Sequence, residues 1–194
     1  MRYAKGHKTT TRKGIIDAAS KRFRKEGVEG VGIAALMSDA GLTHGGFYAH
    51  FDSKEELFQE AMAHALDQTQ EKLTRLAEAD GGGLEAMIRD YLEPWHRRCP
   101  ERGCAAASLG ADIARYSRPT RVVFEKKLEG LIALIARHLP RGDRHMRRRV
   151  AIAIFGTMMG TLQLARAVAD RRLSDQILES GVEAALNLAR GPET

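Results

Sequence analysis

Cysteine is nearly absent, with only Cys99 and Cys104 in 194 residues. Two thiols cannot build a disulfide scaffold, and their spacing, without paired histidines, does not make a structural zinc site, so no metal is expected. Also missing is any stretch of about eighteen uninterrupted apolar residues, and no amino-terminal apolar run precedes a small-residue cleavage site. A cytoplasmic protein with no membrane partner is the expectation. No histidine, cysteine and carboxylate set has catalytic spacing, and no glycine loop is built to cradle phosphate, so an enzyme is not expected and no cofactor is implied.

What the chain does have is apolar content and positive charge. Apolar side chains make up 43% of the 194 residues, enough to bury a core, and the length suits a small domain fused to a larger one. The net charge of +6 is unevenly placed, since residues 1–54 hold ten Lys/Arg against five Asp/Glu. That asymmetry implies a polyanionic partner at the amino-terminal end. Nucleic acid fits better than a membrane surface, because no basic amphipathic helix with Trp or Phe on its apolar side lies there.

Residues 33–58 read as three consecutive helix starts with little loop between them. Ile33, Leu36, Met37 and Ala40 recur at helical spacing, and Gly41 sits where a left-handed residue ends a helix. Leu42 plugs the corner, and Thr43 is placed to cap a short segment that buries Phe47 and Phe51 on one face while His44 and Tyr48 point elsewhere. Gly45 and Gly46 cost on the order of 2 kcal/mol of helix propensity against alanine, a loss understandable if bulk there would block a DNA groove wall. Ser53 and Glu56 form a capping box, so a long helix begins at Lys54 and its amino end carries positive partial charge.

This pattern, Gly32-Ile33-Ala34-Ala35-Leu36 through Ala40-Gly41-Leu42-Thr43-His44-Gly45-Gly46-Phe47-Tyr48-Ala49-His50-Phe51 to Ser53-Lys54-Glu55-Glu56-Leu57, resembles the DNA-binding domain of the tetracycline-repressor (TetR) family. The resemblance extends back to Ile15-Ile16-Asp17-Ala18-Ala19 and Phe23, and one departure is Gly32, where many relatives carry a Thr or Ser cap. It implies an all-α fold, with a three-helix helix-turn-helix domain over 1–53 joined by a long helix to a larger regulatory domain over 54–194. It also implies a dimeric regulator, a repressor that binds a pseudo-palindromic double-stranded DNA operator and is released by a small-molecule effector. Thr43, Tyr48, His50 and Lys54 carry over as phosphate contacts, with His44 and Gly45 as contacts to base edges. A protein that coats DNA without sequence preference is the competing reading.

Thr9, Thr10 and Thr11 offer caps for the first helix, with a mobile basic arm expected before them. Lys21, Arg22, Arg24 and Lys25 are expected on its exposed side, and Gly27 ends it. The long helix from Lys54 runs to the break at Gly81-Gly82-Gly83, and the next helix is disturbed at Pro94. Pro119 fits the first turn of a helix that stops before Pro140. Arg144, Arg147, Arg148 and Arg149 begin a further helix and read as a solvated basic turn, since no aromatics interleave with them. Ser174 is expected to cap the last helix.

The last two helices are apolar on more than one side, so they are expected to pair with their copies in a homodimer through Ile152, Met159, Ile177, Leu178, Val182 and Leu186. Gly156, Gly160 and Gly181 would lower the profile where helices cross. An effector pocket is expected among Met62, Leu66, Met87, Tyr91, Trp95, Leu109, Phe124 and Phe155, whose aromatic and Met side chains can line an adaptable apolar cavity. Cys104 supports another trigger, reaction with an electrophile or oxidant, with Cys99 as a resolving thiol.

Overall fold

The computed structural model describes residues 5–191, and side chains from Lys8 onward. Every regular element among these residues is helical: α1 (Lys5–Glu26), α2 (Ile33–Asp39), a 3-10 helix (His44–Ala49), α3 (Lys54–Glu78), α4 (Leu84–Tyr91), α5 (Pro94–Arg98), a 3-10 turn (Pro100–Arg102), α6 (Ala105–Ile113), α7 (Arg118–Arg137), α8 (Arg144–Ala167) and α9 (Arg171–Arg190). This is the expected all-α architecture. The residues form two compact units, Met1–Asp67 with Pro100–Phe124, and Gln68–Cys99 with Glu125–Thr194.

The first unit is built on α1. Ile15, Ala19 and Phe23 are fully or almost fully buried, and Phe23 meets Phe58 of α3 edge-on at 5.6 Å. Helical geometry is already present at Lys5, so the basic segment before Thr9 is part of α1 from that residue, and Arg2 lies outside the described residues. Arg24 departs from the expectation of an exposed side chain. It is buried, donating from Nε to the Ser20 carbonyl at 2.9 Å and from Nη1 to the Gly103 carbonyl at 2.7 Å. A guanidinium can be buried here because these carbonyls and the Ser20 hydroxyl, 3.0 Å from Nη2, replace its water. Tyr116 and Phe58 lie with ring centroids 4.7 Å apart, so α6 and the start of α7 belong to the same core.

The second unit centres on the antiparallel hairpin of α8 and α9. Asp170, not Ser174, caps α9, accepting from Arg172 N at 2.7 Å. Ser174 lies a turn inside the helix, buried, and its hydroxyl donates to the Ala165 carbonyl at 2.5 Å near the end of α8 while accepting from Arg97 Nη1 at 2.6 Å. An Asp at the earlier position accepts two amides, whereas the Ser is occupied by satisfying a late carbonyl of the neighbouring helix. The prolines act as expected: Pro94 opens α5 after α4 has ended at Tyr91, and Pro119 lies in the first turn of α7. α8 is long and apolar enough by composition to cross a bilayer, but a third of the relevant window is already buried in the chain, where Ala151, Ile154, Phe155, Met158 and Leu162 form its inner side.

Gly181 is the contact point of the hairpin. A Cβ at this position would lie 2.8 Å from Thr161 Cβ and closer still to that side chain's outer atoms. Gly156 and Gly160 differ, since a Cβ on either would meet nothing within 4 Å. In an open helix position Gly→Ala adds about 1 kcal/mol of stability. At Gly181 overpacking reverses the sign, so Gly181→Ala is expected to destabilise by about 1–3 kcal/mol. Urea unfolding of the variant, and of Gly181→Ala combined with Thr161→Ala, checks this. The second change should recover part of the loss, and a more stable single variant would contradict the packing account.

Candidate nucleic-acid interface

The corner between α2 and the 3-10 helix is closed by backbone bonds. Ala40 N donates to the Leu36 carbonyl, Gly41 N to that of Ser38 at 2.9 Å and Leu42 N to that of Met37 at 2.8 Å. Gly41 has φ +72, the left-handed conformation that ends a helix at little cost only for glycine. At the start of α2, Gly32 takes the cap position with extended dihedrals and no side-chain bond, so α2 is held by packing of Leu36 and Met37.

The segment after the corner is a six-residue 3-10 helix, too short to hold its shape alone. Phe47 and Phe51 fix it: they are 0% and 1% exposed, with rings stacked at 5.7 Å. Burying these two leaves the opposite side outward. Tyr48 is 64% exposed, its ring standing edge-on to Phe47 at 5.2 Å, and Thr43, His44 and Gly45 are exposed beside it. Thr43 occupies the cap position in backbone terms, but its hydroxyl makes no capping bond. A Cβ on Gly45 would meet nothing within 4 Å, so nothing inside the chain requires glycine there. The surface is therefore low in bulk at Gly45 and rich in donors around it.

The capping box forms. Glu56 N donates to Ser53 Oγ at 3.0 Å, and the Glu56 carboxylate accepts from Asp52 N at 2.6 Å, one residue earlier than the standard box. The same carboxylate binds Arg12 Nη2 at 2.9 Å, and Arg12 also reaches Glu60 and lies 4.0 Å above the Phe51 ring. These contacts hold the Glu56 carboxyl below the usual range, first through the Asp52 amide and then through Arg12. Arg12 thus braces α1 against α3 over the ring that seats the 3-10 helix. In the sequence Arg12 is one of the ten Lys/Arg of residues 1–54, and the signal for its role as a brace is Glu56 and Glu60 one turn apart, a repulsive pair unless a cation sits between them.

His50 ends the 3-10 helix, and its Nδ1 is buried without a hydrogen-bond partner. Burial, then the charges of Lys8 and Arg12, push its pKa below the ordinary histidine value. Lys54 is half-buried at the first position of α3. Of the other cations on α1, Arg22 binds Asp39 of α2 at 2.7 Å, and Lys21 pairs with Asp17 on its own helix at 2.7 Å. Lys13 and Lys25 are exposed. The structure thus brings Thr43, His44, Gly45, Tyr48, His50 and Lys54 into one short stretch of the first unit, while Arg12, Arg22 and Arg24 serve its internal architecture.

A helix-turn-helix with an outward, donor-bearing second element defines a DNA-binding protein, and the comparisons agree. Residues 15–61 match the model described as bacterial regulatory proteins, tetR family. The chain is 24% identical over 136 residues to the HTH-type transcriptional repressor NemR of Escherichia coli, covering 68% of each chain. It is 29% identical over 172 residues to the HTH-type transcriptional repressor AcnR of Corynebacterium glutamicum, covering 84% of this chain and 83% of that one. The reduced form of E. coli NemR has the same fold, with a TM-score of 0.74 at 20% identity over 91% of this chain and 95% of that one. Residues 15–61 therefore match the DNA-binding domain of the TetR family, and the chain is similar over most of its length to transcriptional regulators of that kind.

A histidine whose folded pKa is depressed favours its neutral form. Its contribution to stability is present above the unfolded value, about 6.5, and is lost as pH falls through the folded value. The wild-type protein should therefore lose stability between about pH 7 and pH 5 more steeply than His50→Gln. Thermal unfolding of both proteins across that range gives the comparison, and parallel curves would remove His50 from the account.

Proposed function

We propose that the chain is a dimeric repressor that binds a pseudo-palindromic DNA operator through the exposed side of His44–Ala49 and its flanks. The observation that carries this reading is the exposure of Thr43, His44, Gly45 and Tyr48 on a segment whose other side is locked by Phe47 and Phe51. Thr43, Tyr48, His50 and Lys54 take phosphates, and His44 and Gly45 face base edges. The two roles separate in measurement. Lys54→Ala should weaken binding to all sequences and flatten the salt slope by about one, whereas His44→Ala should erode preference for the selected site by roughly 1–3 kcal/mol. Equal loss by the His44 variant on selected and random DNA would end its base-reading role.

The dimer reading is supported by the apolar surface of α8 and α9. Ile152 and Leu164 are 46% and 60% exposed, Leu173 and Leu188 are also exposed, and Gly156 and Gly160 leave open space on α8. Met159, Ile177 and Val182 are half-buried, while Leu178 and Leu186 are covered within the chain, so the two leucines contribute to the hairpin before they contribute to any partner. Pairing of α8 and α9 with their copies would cover this surface, and with it the membrane-like composition of α8. A cytoplasmic location follows from this reading. Ile152→Glu with Leu164→Glu is expected to give a folded monomer without operator affinity. Sedimentation at micromolar concentration checks it, and an unchanged dimer would move the interface elsewhere.

A small-molecule effector bound among the regulatory helices would release the repressor from its operator. Of the eight expected pocket residues, Met62, Leu66, Leu109 and Phe124 belong to the first unit and Met87, Tyr91, Trp95 and Phe155 to the second. All are buried except Trp95 and Phe124, which are half-buried. Trp95 stacks on His96 at 5.3 Å and lies under the Lys72 ammonium at 3.9 Å.

A thiol trigger is the second reading, favoured by one observation. Cys104 occupies the residue before α6 without a capping side-chain bond, is buried, and interacts electrostatically with the buried guanidinium of Arg24, whose pKa is lowered by desolvation and raised in part by Cys104. Cys99 belongs to the other unit, at the end of α5. Peroxide or quinone should then release operator DNA from wild type but not from Cys104→Ser, with Cys99→Ser testing the resolving role. A Cys104→Ser protein that responds as the wild type does leaves only reversible effector binding.

A further inference from the structure

Between α7 and the first turns of α8, in the second unit, lies an open cleft of about 510 Å³. It is lined by Glu129, Gly130, Ile132, Ala133, Ala136 and Arg137 of α7 and by Arg144, Arg147 and Arg148 of α8. The volume falls within the range of small-molecule sites, and apolar side chains combined with a few polar groups are the usual composition of such sites.

The acidic groups nearby are already engaged. Both oxygens of Glu129 are held by Arg148, at 2.5 and 2.6 Å. Asp143 caps α8 by accepting from Met146 N at 2.8 Å, and its charge also acts on Arg147 and on His145. Neither carboxylate forms an ion pair with Arg137, Arg144 or Arg147 among the described residues. Arg147 Nε is moreover buried with no hydrogen-bond acceptor. Like charges gathered on one cleft repel, so an oxyanion placed among these arginines would relieve that repulsion. The amino end of a 24-residue helix adds positive potential at the same place.

We propose that this cleft binds an amphipathic anion, a carboxylate or phosphate head on a small apolar body. The head meets Arg144 and Arg147, with Arg137 close by, and the body lies on Ile132, Ala133 and Ala136. Arg148 is paired with Glu129, which leaves the positive charge concentrated on the other three arginines. The site is independent of the operator reading, because every residue in it belongs to the second unit. The ligand is a small molecule and not a nucleic acid strand, since the apolar lining is aliphatic and offers no ring on which bases would stack.

Isothermal titration of the full-length protein at about 0.15 M salt, where long-range charge effects are screened, tests it. The probes are octanoate, octyl phosphate, octanol and inorganic phosphate. Octanoate, octyl phosphate or both should bind saturably and at least about tenfold more tightly than octanol or phosphate alone, and the two amphiphiles tell which head is preferred. Arg144→Gln combined with Arg147→Gln should weaken that binding by at least about tenfold, with an unchanged melting temperature, while Arg172→Gln on α9 leaves it unaffected. Equal affinity in the double variant, octanol as tight as octanoate and octyl phosphate, or no saturable binding of either amphiphile would each overturn the proposal. So would a double variant that lost random-DNA affinity with a shallower salt slope while neither amphiphile bound, which would assign the arginines to nucleic acid instead.

Discussion

The exposed side of the 3-10 helix depends on two phenyl rings and the arginine above one of them. A 3-10 helix of six residues containing two glycines has no stability of its own, so its shape is imposed by burial of Phe47 and Phe51. Each buried ring contributes roughly 1.5–3 kcal/mol of hydrophobic stabilisation. Arg12 lies over Phe51 and binds the acids of α3, so α1, the 3-10 helix and the start of α3 share one brace. Tyr48, His44 and Thr43 face outward because Phe47 and Phe51 face inward. The exposed side is therefore a consequence of the buried one.

The second unit obeys a different constraint, close approach. α8 and α9 can lie together because Gly181 makes room for Thr161, and the Ser174 hydroxyl ties the two helices by satisfying the Ala165 carbonyl. Arg97 joins this seam through Ser174 and through Asp175 at 2.7 Å, and Arg166 donates to the His96 carbonyl at 2.7 Å. These bonds satisfy the Ala165 carbonyl of α8 and the His96 carbonyl of α5 beside the hairpin turn, whose residues 169–173 are exposed. Compactness also divides the chain differently from sequence order: residues 54–67 and 100–124 pack with the helix-turn-helix segment. In that unit the Thr120 hydroxyl donates to Glu55 at 2.6 Å, and Ser117 reaches the same carboxylate.

Much of this was legible because local and tertiary requirements coincide. Gly41-Leu42-Thr43 is a corner by backbone chemistry alone, Phe47 and Phe51 share a face by spacing, and Ser53 with Glu56 caps a helix wherever it is found. The misreadings fall where a side chain is captured by a distant group. Ser174 looks like a cap until the Ala165 carbonyl takes its hydroxyl, and Arg24 looks solvent-exposed until the Gly103 carbonyl, 79 residues away in sequence, receives its guanidinium. Leu178 and Leu186 are covered within the chain, while Ile152 on α8 is exposed, a difference that helical spacing alone does not reveal. The family model matches residues 15–61, the stretch that holds the corner and the seat of the 3-10 helix.

The central claim is that this outward side reads a defined DNA sequence. The most direct measurement is selection of binding sites from random double-stranded DNA, followed by affinity for the enriched sequence and for random DNA at one fixed salt concentration. The account predicts enrichment of a two-fold symmetric site with half-sites about one helical turn apart or a multiple of it, bound at least about a thousandfold more tightly than random DNA. A ratio near one, with no symmetric sequence enriched, would contradict it and identify the protein as one that coats DNA.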